Sequence, residues 1–182
     1  MAGSRFLAGQ AYGSAALPSR DIPPMAGWRG YHRGYAYQAA KRGGRVKKVL
    51  FLCTGNSCRS QMAEGWCNYL HKGNSEAFSA GTEPAGEVNK YAVLAMSEVG
   101  VDISSHRSKH LDEFKDIEFD LVVTVCDNAR ERCPLYWGQA EKIHKSFEDP
   151  FILAKNSKTD DEALNHYRRI RDELKEYIVK LC

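Results

Sequence analysis

The sequence contains no apolar run near the roughly 20 residues needed to cross a bilayer. Its longest apolar stretches, such as Val49 to Cys53 and Leu121 to Cys126, have the length of strands. The mean hydropathy is negative, so no membrane association is expected. There is no Gly-x-y period and no C-x2-C pair. Collagen is thereby excluded, and zinc, which favours ligand pairs two to four residues apart, is not expected on the cysteines. The apolar core of a secretory signal is also missing, which makes a disulfide framework an unsuitable reading in a chain of 182 residues that can bury its own core. The six cysteines, Cys53, Cys58, Cys67, Cys126, Cys133 and Cys182, are left to catalysis or inert burial. A cytoplasmic location follows as an expectation from the need for reduced thiols.

Acidic residues are scarce at one end. Residues 1–48 hold nine Lys/Arg and one acid, Asp21, a balance of +8, whereas residues 49–182 carry −5. The overall +3 therefore describes neither part. Residues 1–45 contain eight of the fifteen glycines, three of the six prolines and no sustained apolar period, and read as a disordered basic extension. The Arg content resembles a transit peptide, and an extension without a role is the alternative. Because the basicity belongs to this segment, nucleic acid is not expected as a partner. Residues 46–182 form the expected single domain, and a monomer is expected.

Within that domain strands and helices alternate. Lys48–Cys53 reads as a buried strand, Ser60–His71 as an amphipathic helix and Ala77–Ala80 as a short strand ending at Gly81. Val88–Val99 is a predicted helix with Val93, Leu94 and Met96 facing the core and Gly100 closing its end. Phe119–Val125 is apolar enough for a parallel strand covered on both faces, and Ile143–Phe147 is the fourth strand candidate. Thr159–Glu162 has the pattern of a capping box, opening a helix whose stripe is Leu164, Tyr167, Ile170, Leu174 and Ile178. The fold class is α/β, a four-stranded parallel sheet flanked by helices.

Between the first strand and first helix lies Cys53-Thr54-Gly55-Asn56-Ser57-Cys58-Arg59-Ser60. A loop from the C-terminal end of a parallel strand to a helix start gathers backbone N–H groups into a concavity that favours anions. Gly55 and Asn56 tolerate unusual dihedrals, and Arg59 offers a planar fork to a tetrahedral oxyanion. Cys53 lies at the floor of this cradle, where its thiol is expected to ionise more readily than a free one, with Ser60 able to donate a hydrogen bond to it. Cys58 is part of the loop, Cys67 is expected to pack, and Cys182 is incidental.

This C-x5-R-S loop resembles that of the low-molecular-weight protein tyrosine phosphatases. The longer string, continuing Gln61-Met62-Ala63-Glu64-Gly65, is similar to the arsenate reductases of that fold which are recycled by thioredoxin. The resemblance runs from about Lys47 to the C-terminus and implies a phosphotyrosine protein phosphatase I-like fold. It also implies arsenate as substrate, with phosphate and sulfate as competing oxyanions and thioredoxin as external reductant, no cofactor being tightly bound. Thr54, Gly55, Asn56, Ser57, Cys58 and Arg59 would hold the oxyanion. In the relay it implies, Cys53 attacks arsenate, Cys126 attacks the adduct to release arsenite, and Cys133 then takes Cys126 as partner. The segment Ala129 to Arg132 is expected to change conformation on oxidation, exposing a Cys126–Cys133 disulfide. Asp149 of Asp149-Pro150 matches the family's proton donor, with Phe151 as an aromatic wall. His144 reads as structural.

Asn56, Glu64 and Ser79 match positions that hold potassium in some of these reductases, but Lys109 stands where an aspartate is usual. The expectation is that the Lys109 ammonium replaces the ion. Two other readings stay open at this level. A phosphotyrosine phosphatase would use Cys53, Arg59 and Asp149 alone, and an anion sensor or thiol–metal binder would not turn over.

Overall fold

The computed structural model describes residues 45–132 and 139–181. The predicted extension, Cys133 and Cys182 lie outside the described residues, apart from Arg45 at the extension's end. Four strands, β1 (Lys47–Cys53), β2 (Ser75–Gly81), β3 (Leu121–Thr124) and β4 (Glu141–His144), form one sheet in the order β2-β1-β3-β4. Every pairing is parallel. Five helices accompany them: α1 (Arg59–Leu70), α2 (Lys90–Ser97), α3 (Asp127–Arg132), α4 (Pro150–Ala154) and α5 (Asp160–Ile178), with a 3-10 turn at Leu111–Phe114. No helix among the described residues is long and apolar enough to cross a membrane.

Central β1 is buried from Val49 through Cys53 because both its faces are covered. α1 buries Met62, Ala63, Trp66 and Cys67, and Trp66 Nε1 donates to the Arg171 carbonyl of α5 at 3.0 Å. Four of the five residues in the predicted stripe of α5, Tyr167, Ile170, Leu174 and Ile178, are fully buried, while Leu164 is half-buried. The capping box at its start differs from expectation in one bond. Thr159 Oγ1 accepts from the Glu162 N–H at 3.2 Å, but the Glu162 carboxylate accepts from Lys158 N at 2.7 Å, one residue upstream of the cap.

Two further expectations are corrected. β4 lies at Glu141–His144, in register with Leu121–Thr124, and not at Ile143–Phe147. As an edge strand it needs no apolar run, whereas Phe147 is buried in the loop beyond, its N–H bonded to the Val125 carbonyl at 3.2 Å. In α2 the buried residues are Ala92, Ala95 and Met96; Val93 is half-buried and Leu94 is exposed. The small side chains face α5, where Arg171 Nη1 donates to the Ala95 carbonyl at 2.8 Å.

The end of β2 positions the nucleophile loop by contact. A Cβ on Gly81 would lie 2.5 Å from the Thr54 carbonyl oxygen and 3.1 Å from Asn56 N, both backbone atoms that cannot swing aside. Gly81→Ala is therefore expected to lower stability by about 1–3 kcal/mol through overpacking, measurable by urea unfolding, and to weaken phosphate binding at the displaced loop. Wild-type phosphate affinity in the alanine variant would show that the loop does not need this close approach.

Candidate active site

The strand-loop-helix unit places Cys53 at the end of β1 and Arg59 at the start of α1. Cys58, the N-cap of α1, makes no side-chain capping bond, so its own side chain does not take up the donors of the first turn. A cavity of about 570 Å³ opens above the loop. Cys53, Thr54, Gly55, Ser57, Cys58 and Arg59 line it from below, and Cys126, Asp149 and Phe151 from other elements. The structure thus gathers nearly all the sequence-predicted residues around one space. Asn56 and Ser60 are instead fully buried behind the loop, and Cys133 lies outside the described residues.

Asn56 adopts φ 44°, in the left-handed region that asparagine tolerates better than most residues. Its backbone N–H donates to Cys53 Sγ at 3.0 Å. Its Nδ2 donates to Ser60 Oγ at 2.8 Å and to Ser79 Oγ at 2.9 Å. Ser60 Oγ, which accepts from Asn56, lies 2.9 Å from Cys53 Sγ, where its hydroxyl can donate to the thiolate. Ser79 Oγ donates in turn to Glu64 Oε2, which also accepts from Lys109 Nζ at 3.1 Å. A continuous hydrogen-bonded network therefore joins Lys109 and Glu64 through Ser79, Asn56 and Ser60 to the sulfur, the Asn56 amide donating toward both ends.

Burial pushes the Cys53 thiol above its ordinary range. The Ser60 hydroxyl acts in the opposite direction, Cys126 adds to the rise, and the Ser60 N–H and Arg59 lower it to a smaller extent. This corrects the expected shift of the thiol toward easier ionisation. The chief cause is burial, which Ser60 and Arg59 offset only in part. Arg59 is itself engaged elsewhere, its Nη2 donating to Asp149 Oδ2 at 2.6 Å and its Nη1 to the Phe147 carbonyl at 3.0 Å. Cys58 is likewise raised by burial, to about 11, and stays protonated at neutral pH; its S–H donates to Tyr167 Oη at 3.9 Å.

Cys126 follows β3 and is 4% exposed, with its sulfur 3.5 Å from Thr54 Oγ1. Cys67 is fully buried against the core, as expected for a packing residue. Asp149 is the N-cap of α4, accepting from Phe151 N at 3.0 Å through Oδ1, with Pro150 in the first turn. Both its oxygens are therefore engaged, one as cap and one with Arg59.

Sequence reasoning missed Gln61, whose Nε2 bonds the Asn56 carbonyl, Asn56 Oδ1 and the Arg107 carbonyl at 2.8–3.0 Å. It also missed Ser108, which donates to the Gly55 carbonyl at 3.0 Å. These residues tie the loop to a segment some 50 positions away, a link without local signature. The potassium site suggested by the resemblance does not fit these side chains. Asn56 turns its NH2 toward Ser79, its Oδ1 is taken by Gln61 and by the Lys109 N–H, and the Lys109 ammonium already sits on Glu64.

A buried thiol on the floor of an oxyanion cradle, with an arginine beside it and an aspartate at the rim, suits covalent catalysis on a tetrahedral oxyanion. The chain belongs to the low molecular weight phosphotyrosine protein phosphatase family, whose pattern matches residues 48–182. Over 128 residues it is 46% identical to the arsenate reductase of Halalkalibacterium halodurans, spanning 70% of this chain and 89% of that one. A solved arsenate reductase in the phosphate binding state aligns with TM-score 0.62 and 34% identity, covering 75% of this chain and 96% of that chain. The low molecular weight protein tyrosine phosphatase from T. tengcongensis aligns with TM-score 0.61 and 34% identity, covering 75% and 97%.

The role of Ser60 is open to titration. Its hydroxyl favours the thiolate of Cys53, so Ser60→Ala should raise the thiol further, leaving less thiolate at any given pH. The pH profile of Cys53 alkylation by iodoacetamide should move to higher pH, and turnover at pH 7 should fall about tenfold. An unmoved profile would show that Ser60 does not donate to the sulfur.

Proposed function

We propose that this protein reduces arsenate to arsenite through Cys53, Cys126 and Cys133, with a thioredoxin-class dithiol restoring the thiols. The observation that carries the reading is the second thiol, Cys126, buried in the wall of the Cys53 cavity and bonded to the adjacent Thr54. Hydrolysis of a phosphate ester has no use for it. The names of the similar proteins support arsenate as the oxyanion.

In this reading the loop backbone from Thr54 to Ser60 and Arg59 bind arsenate. The Cys53 thiolate attacks arsenic, an As–O bond breaks, and Asp149 supplies the proton to the departing oxygen. The Cys126 thiolate then attacks Cys53 Sγ. A disulfide forms, the S–As bond breaks, and its electron pair stays on arsenic, which leaves as arsenite. Cys133 next attacks Cys126 Sγ and expels Cys53 as thiolate, and the external dithiol reduces the resulting disulfide. Phosphate and sulfate compete for the same cradle. The protein acts as a cytoplasmic monomer.

A second reading, phosphotyrosine hydrolysis through a cysteinyl-phosphate, is favoured by Phe151, which lines the cavity beside Asp149 and is 53% exposed, available to stack on an aromatic ester. Single turnover separates the two. Pre-reduced wild-type protein should yield one arsenite per chain without added thiol, and Cys126→Ser should yield none. With thioredoxin, its reductase and NADPH, Cys133→Ser should lose steady NADPH consumption. No arsenite from pre-reduced wild-type protein would leave the phosphatase reading, and arsenite release by Cys126→Ser at the wild-type rate would remove Cys126 from the relay.

The Lys109 ammonium, on Glu64 at 3.1 Å with both side chains largely buried, supplies the positive charge behind the loop. Turnover should accordingly be the same within about twofold in sodium and potassium salts at equal ionic strength. Strong activation by potassium would refute this role.

A further inference from the structure

We propose that His144 is a positioning residue that holds Cys126 against the Cys53 loop, an inference that rests on the relay reading above. His144 ends β4, and its ring spans two residues that bracket Cys126 in sequence. Nδ1 is 2.8 Å from Thr124 Oγ1, at the end of β3, and Nε2 is 3.1 Å from Asp127 Oδ1, at the start of α3. The carboxylate can only accept, so Nε2 carries a proton, and Nδ1 pairs with the Thr124 hydroxyl, whose oxygen also lies 3.5 Å from the Ile143 carbonyl. Ser146 Oγ donates to the other oxygen of Asp127 at 3.1 Å. The imidazole therefore acts as a strut between the residue two before Cys126 and the residue just after it.

Among the described residues the Cys126 sulfur has one long hydrogen-bond contact, 3.5 Å to Thr54 Oγ1, whereas Cys53 is held by contacts from both Asn56 and Ser60, so a strut on the backbone either side of Cys126 adds to its placement. Attack on Cys53 Sγ needs the second sulfur in line with the bond that breaks, and small misplacements are costly in such steps. The strut is also weakly committed to stability. Asp127 is 76% exposed, so its bond to His144 contributes little to folding and can open when Cys126 must turn away from Cys53. A rigid core histidine would serve poorly in that place.

The test compares pre-reduced full-length wild type, His144→Ala, Thr124→Val, their double variant and Cys126→Ser in single-turnover arsenate reduction. His144→Ala should release arsenite about tenfold more slowly while binding phosphate within twofold of wild type. Peptide mass spectrometry should show faster iodoacetamide labelling of Cys126 and unchanged labelling of Cys53. Thr124→Val should slow the same step, and the double variant should be no slower than the worse single one, since both break one strut. Wild-type arsenite release by His144→Ala, with Cys126→Ser inactive, overturns the strut and leaves the relay. Release by Cys126→Ser overturns the relay itself. A loss of phosphate binding in His144→Ala matching the loss of rate would mark a general structural role and overturn the proposal.

Discussion

Asn56 is fully buried, sits at positive φ, and uses every polar atom it has. Its N–H reaches the Cys53 sulfur, its amide NH2 joins Ser60 to Ser79, and both its oxygens accept from Gln61. In a water-free setting each of these groups would be costly if left alone, and together they fix a loop that has no regular structure of its own. The cradle is consequently built before any anion arrives. Preorganised donors of this kind need no rearrangement when charge develops on the substrate, which is the condition for electrostatic catalysis. The buried Lys109 and Glu64 pair anchors the far end of the same network, so the geometry at the sulfur depends on residues more than 50 positions away.

The two sides of the cavity differ in firmness. Behind Cys53 lie buried bonds, the close approach of Gly81 to the loop backbone, and Ser108 on the Gly55 carbonyl. Around Cys126 the bonds among the described residues are fewer and reach exposed groups such as Asp127. This asymmetry suits a relay in which one sulfur stays while the second moves. A uniformly rigid site would hold the first covalent adduct without a route to the next sulfur, and a uniformly loose one would lose the oxyanion cradle.

How much of this was legible in the sequence depended on whether the cause was local. β1 and β3 announce themselves as apolar runs because the parallel sheet buries both their faces, and the Cys53–Ser60 loop carries its chemistry in consecutive residues. β4 did not, because an edge strand is defined by its partner's register: Glu141 opposes Leu121 whatever its polarity. Leu94 misled for a related reason, since the face of α2 is chosen by the alanines that let α5 approach. Gln61, Ser108 and His144 were invisible as site residues because their roles exist only as contacts between distant segments. The direction of the Cys53 shift was also beyond reach, since it turns on burial of the sulfur, which outweighs an arginine that takes Asp149 as its partner.

That partner has a consequence for the chemistry. Arg59 and Asp149 are joined at 2.6 Å, with side chains 12% and 27% exposed, so the pair closes over the cavity in the free protein. An oxyanion entering the cradle needs the guanidinium fork that Asp149 occupies, and it brings negative charge beside that carboxylate. In the proposed reaction the anion displaces Asp149 from Arg59 and leaves that carboxyl group facing the departing oxygen. In the same proposed reaction the exchange turns the arginine charge toward the substrate and Cys53, where it works against the burial that raises the thiol. Oxyanion binding and nucleophile activation are then coupled through a single ion pair.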